Sequence, residues 1–480
     1  MPCLAAAPLR ARHSNDGRRR GGVAGPDRRR GRGMAYELPL PLPQASGDRG
    51  GTLSPAPWTS GARPKLLFLC QTLPYPPDGG VSIRTYHVMR LLAHAFDVTA
   101  LCFFRASDRP TSRDVAASVT GLSEFATVQA FPIPQEHATG RLLWDHARSL
   151  LRGRAYTVFA YESRAFRARL EELLADESFD LVHMDSLDLS GYLPALRRLP
   201  IVCVHHNIEA TLLQRRAGLE RSRWRAAYIR HQSRLVEREA RRWLGRVALN
   251  VAVSPADCDA LMRLVPGARC AVVPNGVDVQ RFQPAAASGT GIVGVGGINW
   301  FPNHDALMYL ATELLPRLRT RQHPVVRWVG RASVEDQLRY RATYDIELPG
   351  YVDDVRPFVE QAACFVVPLR VGGGTRLKIL DAWAMGKAIV STSIGCEGLA
   401  AVDGENILIR DTADGFAEAV AQVLADIPLR ERLGRAGRAT VEQQYGWELI
   451  GRHMVELYRE VIMSGVAESA SVFPAPGGAY

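Results

Sequence analysis

From Lys65 onward, uninterrupted apolar runs of strand length alternate with stretches of helical period, and that alternation leaves few folds open. The runs are KLLFLC (65–70), DVTALCFF (97–104), FDLVHMD (179–185), PIVCVHH (200–206) and VALNVAVS (247–254), with a helix over about 82–95 after the first. Strands apolar along their whole length have no solvent face, so they belong in a parallel sheet covered by helices on both sides. The stretch VVPNGVDVQRFQPAAASGTG (272–291) then brings Asn-Gly, Pro and small residues, the composition of a linker. After it the alternation restarts with GIVGVGG (291–297), a helix over 303–319, PVVRWVG (324–330), DIELPGYV (345–352), CFVVPL (364–369), KAIVSTS (387–393) and NILIR (406–410). The pattern predicts an α/β chain of two tandem Rossmann-like domains, 63–283 and 284–446, with ligands held at the strands' carboxyl ends in the cleft between them. Apolar residues at helical spacing predict a last helix, 447–464, packing back on the body, before a tail at 465–480.

Composition narrows what such a chain binds. Residues 1–62 hold ten Arg against four acidic residues, so this segment carries +6 of the net +10. Rich in Arg, Gly and Pro and without an apolar period, it is expected to be a disordered tail, and the body is not expected to bind nucleic acid. The eight cysteines are scattered, without CxxC pairs or Cys/His metal spacing, which fits a reducing cytoplasm. No apolar run reaches the ~20 residues of a membrane span, so any membrane contact is expected to be peripheral.

The stretch PLRVGGGTRLKILDAWAMGKAIVSTSIGCEGL (368–399) carries the chemistry. It places three glycines at the carboxyl end of a buried strand, and a helix is expected to begin near Thr375, a good capping residue. Gly373 and Gly374 let an anion approach the backbone, and the helix N–H groups point at it. Arg376 and Lys378 oppose the local helix dipole, so they are poor choices for helix stability alone and call for an anionic partner such as a nucleotide diphosphate. Asp381, a turn or so further on, is a candidate for the hydroxyls of a ribose.

Together with PYPPDGGVSIRTYHVMRLL, SPADCDAL, VVPNGVD and PGYVDDVRPFVEQAACFVVPL, this stretch resembles the retaining family 4 glycosyltransferases, over roughly residues 65–463. The resemblance implies the GT-B fold, two Rossmann-like domains facing a cleft, and a metal-independent transfer of sugar from a nucleotide-diphosphate sugar with retained configuration. It implies a glycan or lipid-linked acceptor and a surface-polysaccharide setting. The chain departs from the family pattern twice. The usual pair of carboxylates eight positions apart becomes Gly373 and Asp381, so the expected donor-sugar carboxylate is missing. The loop after the first strand of the second domain reads GGINWFPNHDAL, with Asn299 but no Arg or Lys. A chain that binds nucleotide sugar without turning it over, as an inactive binding or scaffold protein, is therefore the alternative reading.

The resemblance also distributes roles. Gly79 and Gly80 form the first-domain loop that approaches the donor, while Asn299, Gly330, Val352, Gly373, Gly374, Thr375 and Asp381 complete its binding set. His206, at the end of PIVCVHH, falls at the position that touches the donor sugar and joins Arg376 and Lys378 as the expected catalytic group. Residues 205–246 hold eleven Arg and four acidic residues interspersed with Trp224, Tyr228 and Trp243. They read as a solvated basic helix face or as a peripheral contact with anionic lipid at the inner face of the membrane.

Overall fold

The computed structural model describes residues 63–472 apart from 78, 107, 110, 138, 221, 285–288 and 373–375. The expected N-terminal tail lies outside the described residues. Among those residues the strands form two all-parallel sheets. The first holds β1 (Lys65–Cys70), β2 (Asp97–Phe104), β3 (Thr127–Pro132), β4 (Leu181–Met184), β5 (Ile201–His205), β6 (Leu249–Ala252) and β7 (Cys270–Val272), in the order β3-β2-β1-β4-β5-β6-β7. The second holds β8 (Ile292–Val295), β9 (Val326–Val329), β10 (Glu347–Gly350), β11 (Cys364–Val367), β12 (Ile389–Ser391) and β13 (Leu408–Ile409), in the order β10-β9-β8-β11-β12-β13. Central strands β1, β4, β5, β6 and β11 are buried almost throughout, which is why their sequences read as unbroken apolar runs.

The helices that position the site are α1 (Gly80–Leu92), α2 (Thr139–Arg152), α3 (Glu209–Leu219), α4 (Arg223–Trp243), α5 (Pro255–Leu264), α6 (Phe301–Tyr309), α7 (Leu377–Ala384) and α8 (Trp447–Val472). Two expectations need correction here. The helix expected over 303–319 is interrupted: residues 310–314 form a π-turn in which Leu315 N–H reaches Leu310 O. Pro316 explains it, because it has no N–H to continue the α ladder. The last helix also runs on to Val472, through residues expected to be tail.

Two chain crossings join the domains, and they lie side by side. Val277 N–H donates to Tyr445 O (2.8 Å), and a β-bridge pairs Val277 with Gly446. Arg84 of α1 holds the first crossing from below. Its Nη1 donates to Pro274 O and Asn275 Oδ1, and its Nη2 to Val273 O, each at 2.8 Å. A buried guanidinium is tolerable only with such partners, so the clamp and the burial require each other. Helix α8 then returns to the first domain, where Tyr458 packs edge-on against Phe96 and Gly451 lies against Leu91, so close that a Cβ there would meet its side chain at 2.7 Å. No helix among the described residues is long and apolar enough to cross a membrane.

Candidate functional site

Each sheet reverses its winding once, between β1 and β4 in the first and between β8 and β11 in the second. Loops leaving the two sides of such a point diverge and open a crevice at the strands' carboxyl ends. A cleft of about 370 Å³ lies there, lined by Gly79 and Ser82 from the first domain and by Gly296, Asn299, Gly330 and Val352 from the second. Four of the expected donor-binding residues thus line one space. Gly330 has φ +152°, and a Cβ on it would meet the backbone carbon of Gly296 at 2.5 Å, so only glycine allows the two strand ends to approach. Arg105, directly after β2, and Arg331, directly after the apolar run 324–330 that contains β9, line the same cleft. Sequence reasoning passed over both, although an Arg directly after an apolar strand is a readable signal.

The basic residues of the glycine turn gather beside it. Helix α7 begins at Leu377 rather than near Thr375, and its N-cap is Arg376, in extended conformation and without a side-chain cap bond. The expected cap is therefore corrected: Arg376 precedes the first turn and Lys378 is within it. Gly373, Gly374 and Thr375 lie outside the described residues. Arg376 folds back over Gly372, whose φ is +153° and whose Cβ would meet Arg376 Nη2 at 2.5 Å. Burial pushes the Arg376 guanidinium down to about 10, opposed by the charge of Glu397. Lys378 Nζ donates to Asn303 Oδ1 (2.9 Å), and Asn303 Nδ2 donates to Gly297 O (3.0 Å) in the cleft wall. Burial, with Arg376 as the second cause, pushes the lysine down to about 7. Asp381, half-buried one turn on, is pushed up to about 7 by burial, opposed by Arg281. Gly80 closes the arrangement from the other domain, since a Cβ on it would lie 3.8 Å from Leu377. Arg376 and Lys378 are thus two basic groups whose charge burial disfavours, an environment that a bound anion would ease.

His206 directly follows β5 in the first domain. Its Nε2 lies 3.1 Å from Asp185 Oδ1, and His183 Nε2 lies 3.4 Å from the same oxygen. Thr85 Oγ1 donates to Asp185 Oδ2 (2.8 Å). Burial alone would raise the Asp185 carboxyl, but His206 and His183 outweigh it and hold it well below the ordinary carboxylate range. An ionised Asp185 fixes the proton on His206 Nε2 and leaves Nδ1 as the other ring nitrogen. His183 Nδ1 bonds the Tyr458 hydroxyl (2.8 Å), so helix α8 reaches this network. Neighbouring His205 is buried on Asn250 (3.1 Å) and pushed down to about 4, a structural histidine. Asp185 was legible only as the last letter of an apolar run.

One contact spans the domains at the glycine turn itself. Arg215 of α3 donates to both carboxylate oxygens of Glu397 (2.6 and 2.7 Å) and to Gly372 O (2.7 Å). Sequence reading did not find it, because Arg215 lies far in the chain from Gly372 and Glu397. Among the described residues no group of three His, Cys, Asp or Glu side chains is placed to hold a metal ion.

Known proteins with this arrangement share both halves. Residues 78–281 match the family model described as Glycosyltransferase Family 4, and residues 289–426 match Glycosyl transferases group 1. The lipopolysaccharide core biosynthesis glycosyltransferase LpsE of Rhizobium meliloti is 38% identical over 112 residues, covering 22% of this chain and 31% of that protein. The alpha-maltose-1-phosphate synthase of Mycobacterium tuberculosis is 27% identical over 256 residues, covering 44% and 62%. The match therefore spans less than two thirds of either relative. Sucrose-phosphate synthase from Thermosynechococcus elongatus superimposes with a TM-score of 0.60 at 16% identity, over 83% of this chain and all of that one. Anabaena HepE, solved with UDP-glucose, gives 0.58 at 15%, over 83% and 100%. At such identities these structures establish the two-domain fold.

Proposed function

The chain belongs to glycosyltransferase family 4, and we propose that it transfers a sugar from a nucleotide-diphosphate sugar to a glycan or lipid-linked acceptor with retention of anomeric configuration. The observation that carries this reading is the pair Arg376 and Lys378 at the start of α7, beside the β8/β11 switch point and opposite the Gly79–Gly80 loop. As the sugar–phosphate bond loosens, negative charge builds on the departing diphosphate. Lys378, held by Asn303, and Arg376, folded over Gly372, would meet that charge without reorganising. Lys378 sits where an incoming anion would restore its proton. Asp381 would accept the ribose hydroxyls. His206, aligned through Asp185, would bond a donor-sugar hydroxyl and orient the ring.

The donor class agrees with the UDP-glucose bound by HepE. A surface-polysaccharide role agrees with LpsE, whose name places it in lipopolysaccharide core synthesis. Transfer would proceed without a metal, in the cytoplasm, where the free cysteines of this chain would stay reduced. The test is to incubate the purified chain with UDP-, GDP- and ADP-sugars and candidate acceptors and read the product anomer by NMR coupling. Transfer from an α-linked donor should give an α-linked product. A β-linked product contradicts retention. Diphosphate binding without product from any acceptor favours the non-turnover reading that Gly373 raises.

A further inference from the structure

Helix α2 is built inside out. Its inward face carries Asp145 and Ser149, both fully buried. Asp145 accepts from Arg141 Nε (2.9 Å) and Gln135 Nε2 (3.0 Å), and Ser149 Oγ donates to Arg154 O (2.7 Å) and accepts from Gln232 Nε2 (2.9 Å). Its outward face carries Leu143, Trp144, Leu150 and Leu151, with Leu143 exposed to 72% and Leu151 to 79%. These positions follow the helical i, i+7, i+8 spacing, so they form one continuous stripe. A surface helix ordinarily turns its leucines inward, and the reversal leaves an apolar strip without a partner among the described residues.

The strip is extended by a neighbour. α2 lies along α4, with His146 against Tyr228 (2.5 Å), Ser149 against Gln232 and Arg154 against Glu239 (2.7 Å). One turn before Tyr228, at the start of α4, stands Trp224, exposed to 87%. The outer side of α4 carries Arg230, Arg234 and Arg238, all exposed, and Arg152 ends α2. No carboxylate pairs with these four among the described residues. Both helices start toward the cleft end of the first domain: α2 begins just after the carboxyl end of β3, and α4 runs from its start down toward the amino end of β6.

We propose that the α2 stripe, with Trp224 and the α4 arginine ridge, docks the first domain on an anionic lipid surface. Leucines would enter the acyl boundary, Trp144 and Trp224 would sit at headgroup depth, and the arginines would meet lipid phosphate. Charge selects this occupant over the two the chain itself could supply. A second copy would bring an equal arginine ridge against the first, and residues 1–62 carry a net +6 of the same sign. The proposal deepens the membrane contact expected of residues 205–246, because the apolar part of the surface comes from α2. It also places the cleft mouth near the bilayer, as a lipid-linked acceptor requires, and to that extent it rests on the transferase reading.

Vesicle co-sedimentation of the full chain, without donor or acceptor, tests the surface apart from turnover. The vesicles are phosphatidylcholine alone or mixed with phosphatidylglycerol. The chain should pellet with the anionic vesicles at low salt, and less so at high salt. Leu143→Glu with Leu151→Glu should weaken partitioning at least about tenfold, with an unchanged melting curve since both side chains are exposed. Arg234→Glu with Arg238→Glu should weaken it on anionic vesicles, and brominated lipid should quench wild-type tryptophan emission more than that of Trp224→Ala. Wild type left in the supernatant at low salt overturns the proposal, as does a leucine double variant that pellets like wild type. A wild-type dimer that the leucine variant dissociates, without vesicle binding, overturns it in favour of self-association.

Discussion

Lys378 shows how much one side chain can report. Its ammonium is pushed down to about 7 by burial and by Arg376, and the bond it makes is to a neutral amide, Asn303. A lysine kept for stability would be given a carboxylate; on the proposed function, the charge facing this one arrives with the substrate. Lys378→Ala and Arg376→Ala should each lower kcat/KM by about 10²–10³-fold, with melting temperatures no lower than wild type for Lys378→Ala. Steady-state kinetics with scanning calorimetry checks both parts. Asp381 gives a prediction whose sign depends on pH. Its carboxyl is raised to about 7 on folding, so between its ordinary value near 4 and about 7 the folded chain binds more protons than the unfolded one. Stability therefore falls as pH rises through that window. Asp381→Asn escapes this loss and should melt about 2–4 °C higher than wild type at pH 8, with no such gain at pH 4, while binding nucleoside diphosphate more weakly. Equal diphosphate affinities in the two proteins would remove Asp381 from the ribose.

At the scale of elements, the turn between β11 and α7 is shaped from the opposite domain. Arg215 on α3 holds Gly372 O and both oxygens of Glu397, so one side chain both bridges the domains and holds the turn. Arg215→Ala should raise KM for the donor about tenfold, with a smaller change in kcat. Arg215→Lys, which keeps the charge but not the two-pronged geometry, should recover part of that loss. A variant with wild-type KM would show that the contact is incidental. The same contact marks where sequence reading ends. Strands β1, β4, β5, β6, β8 and β11 were readable because burial on both faces makes them largely apolar, whereas β3 (TVQAFP) and β7 (CAV), only partly buried, were missed because neither carries an apolar run of strand length. Arg376, Lys378 and Asp381 were readable because their signal is local: charge placed against a helix dipole after a glycine turn. Asp185 and Arg215 were not, since each acquires its meaning from a partner distant in the chain.

For the molecule as a whole, two switch points face each other across a cleft, joined by two adjacent crossings that Arg84 clamps from the first domain. On the proposed function Arg376 and Lys378 supply the charge opposite the diphosphate, so a chelator should leave transfer unchanged. Loss of activity on EDTA, restored by magnesium or manganese, would require a cation that the account does not use. The central claim is that the start of α7 holds a nucleoside diphosphate. Titrating UDP, GDP and ADP into the folded chain while following its melting temperature tests that claim most directly, because a ligand bound only by the native state raises it with concentration. The account predicts a rise with one diphosphate above the others, lost in Lys378→Ala. No rise with any of them, or the same rise in Lys378→Ala, would contradict it.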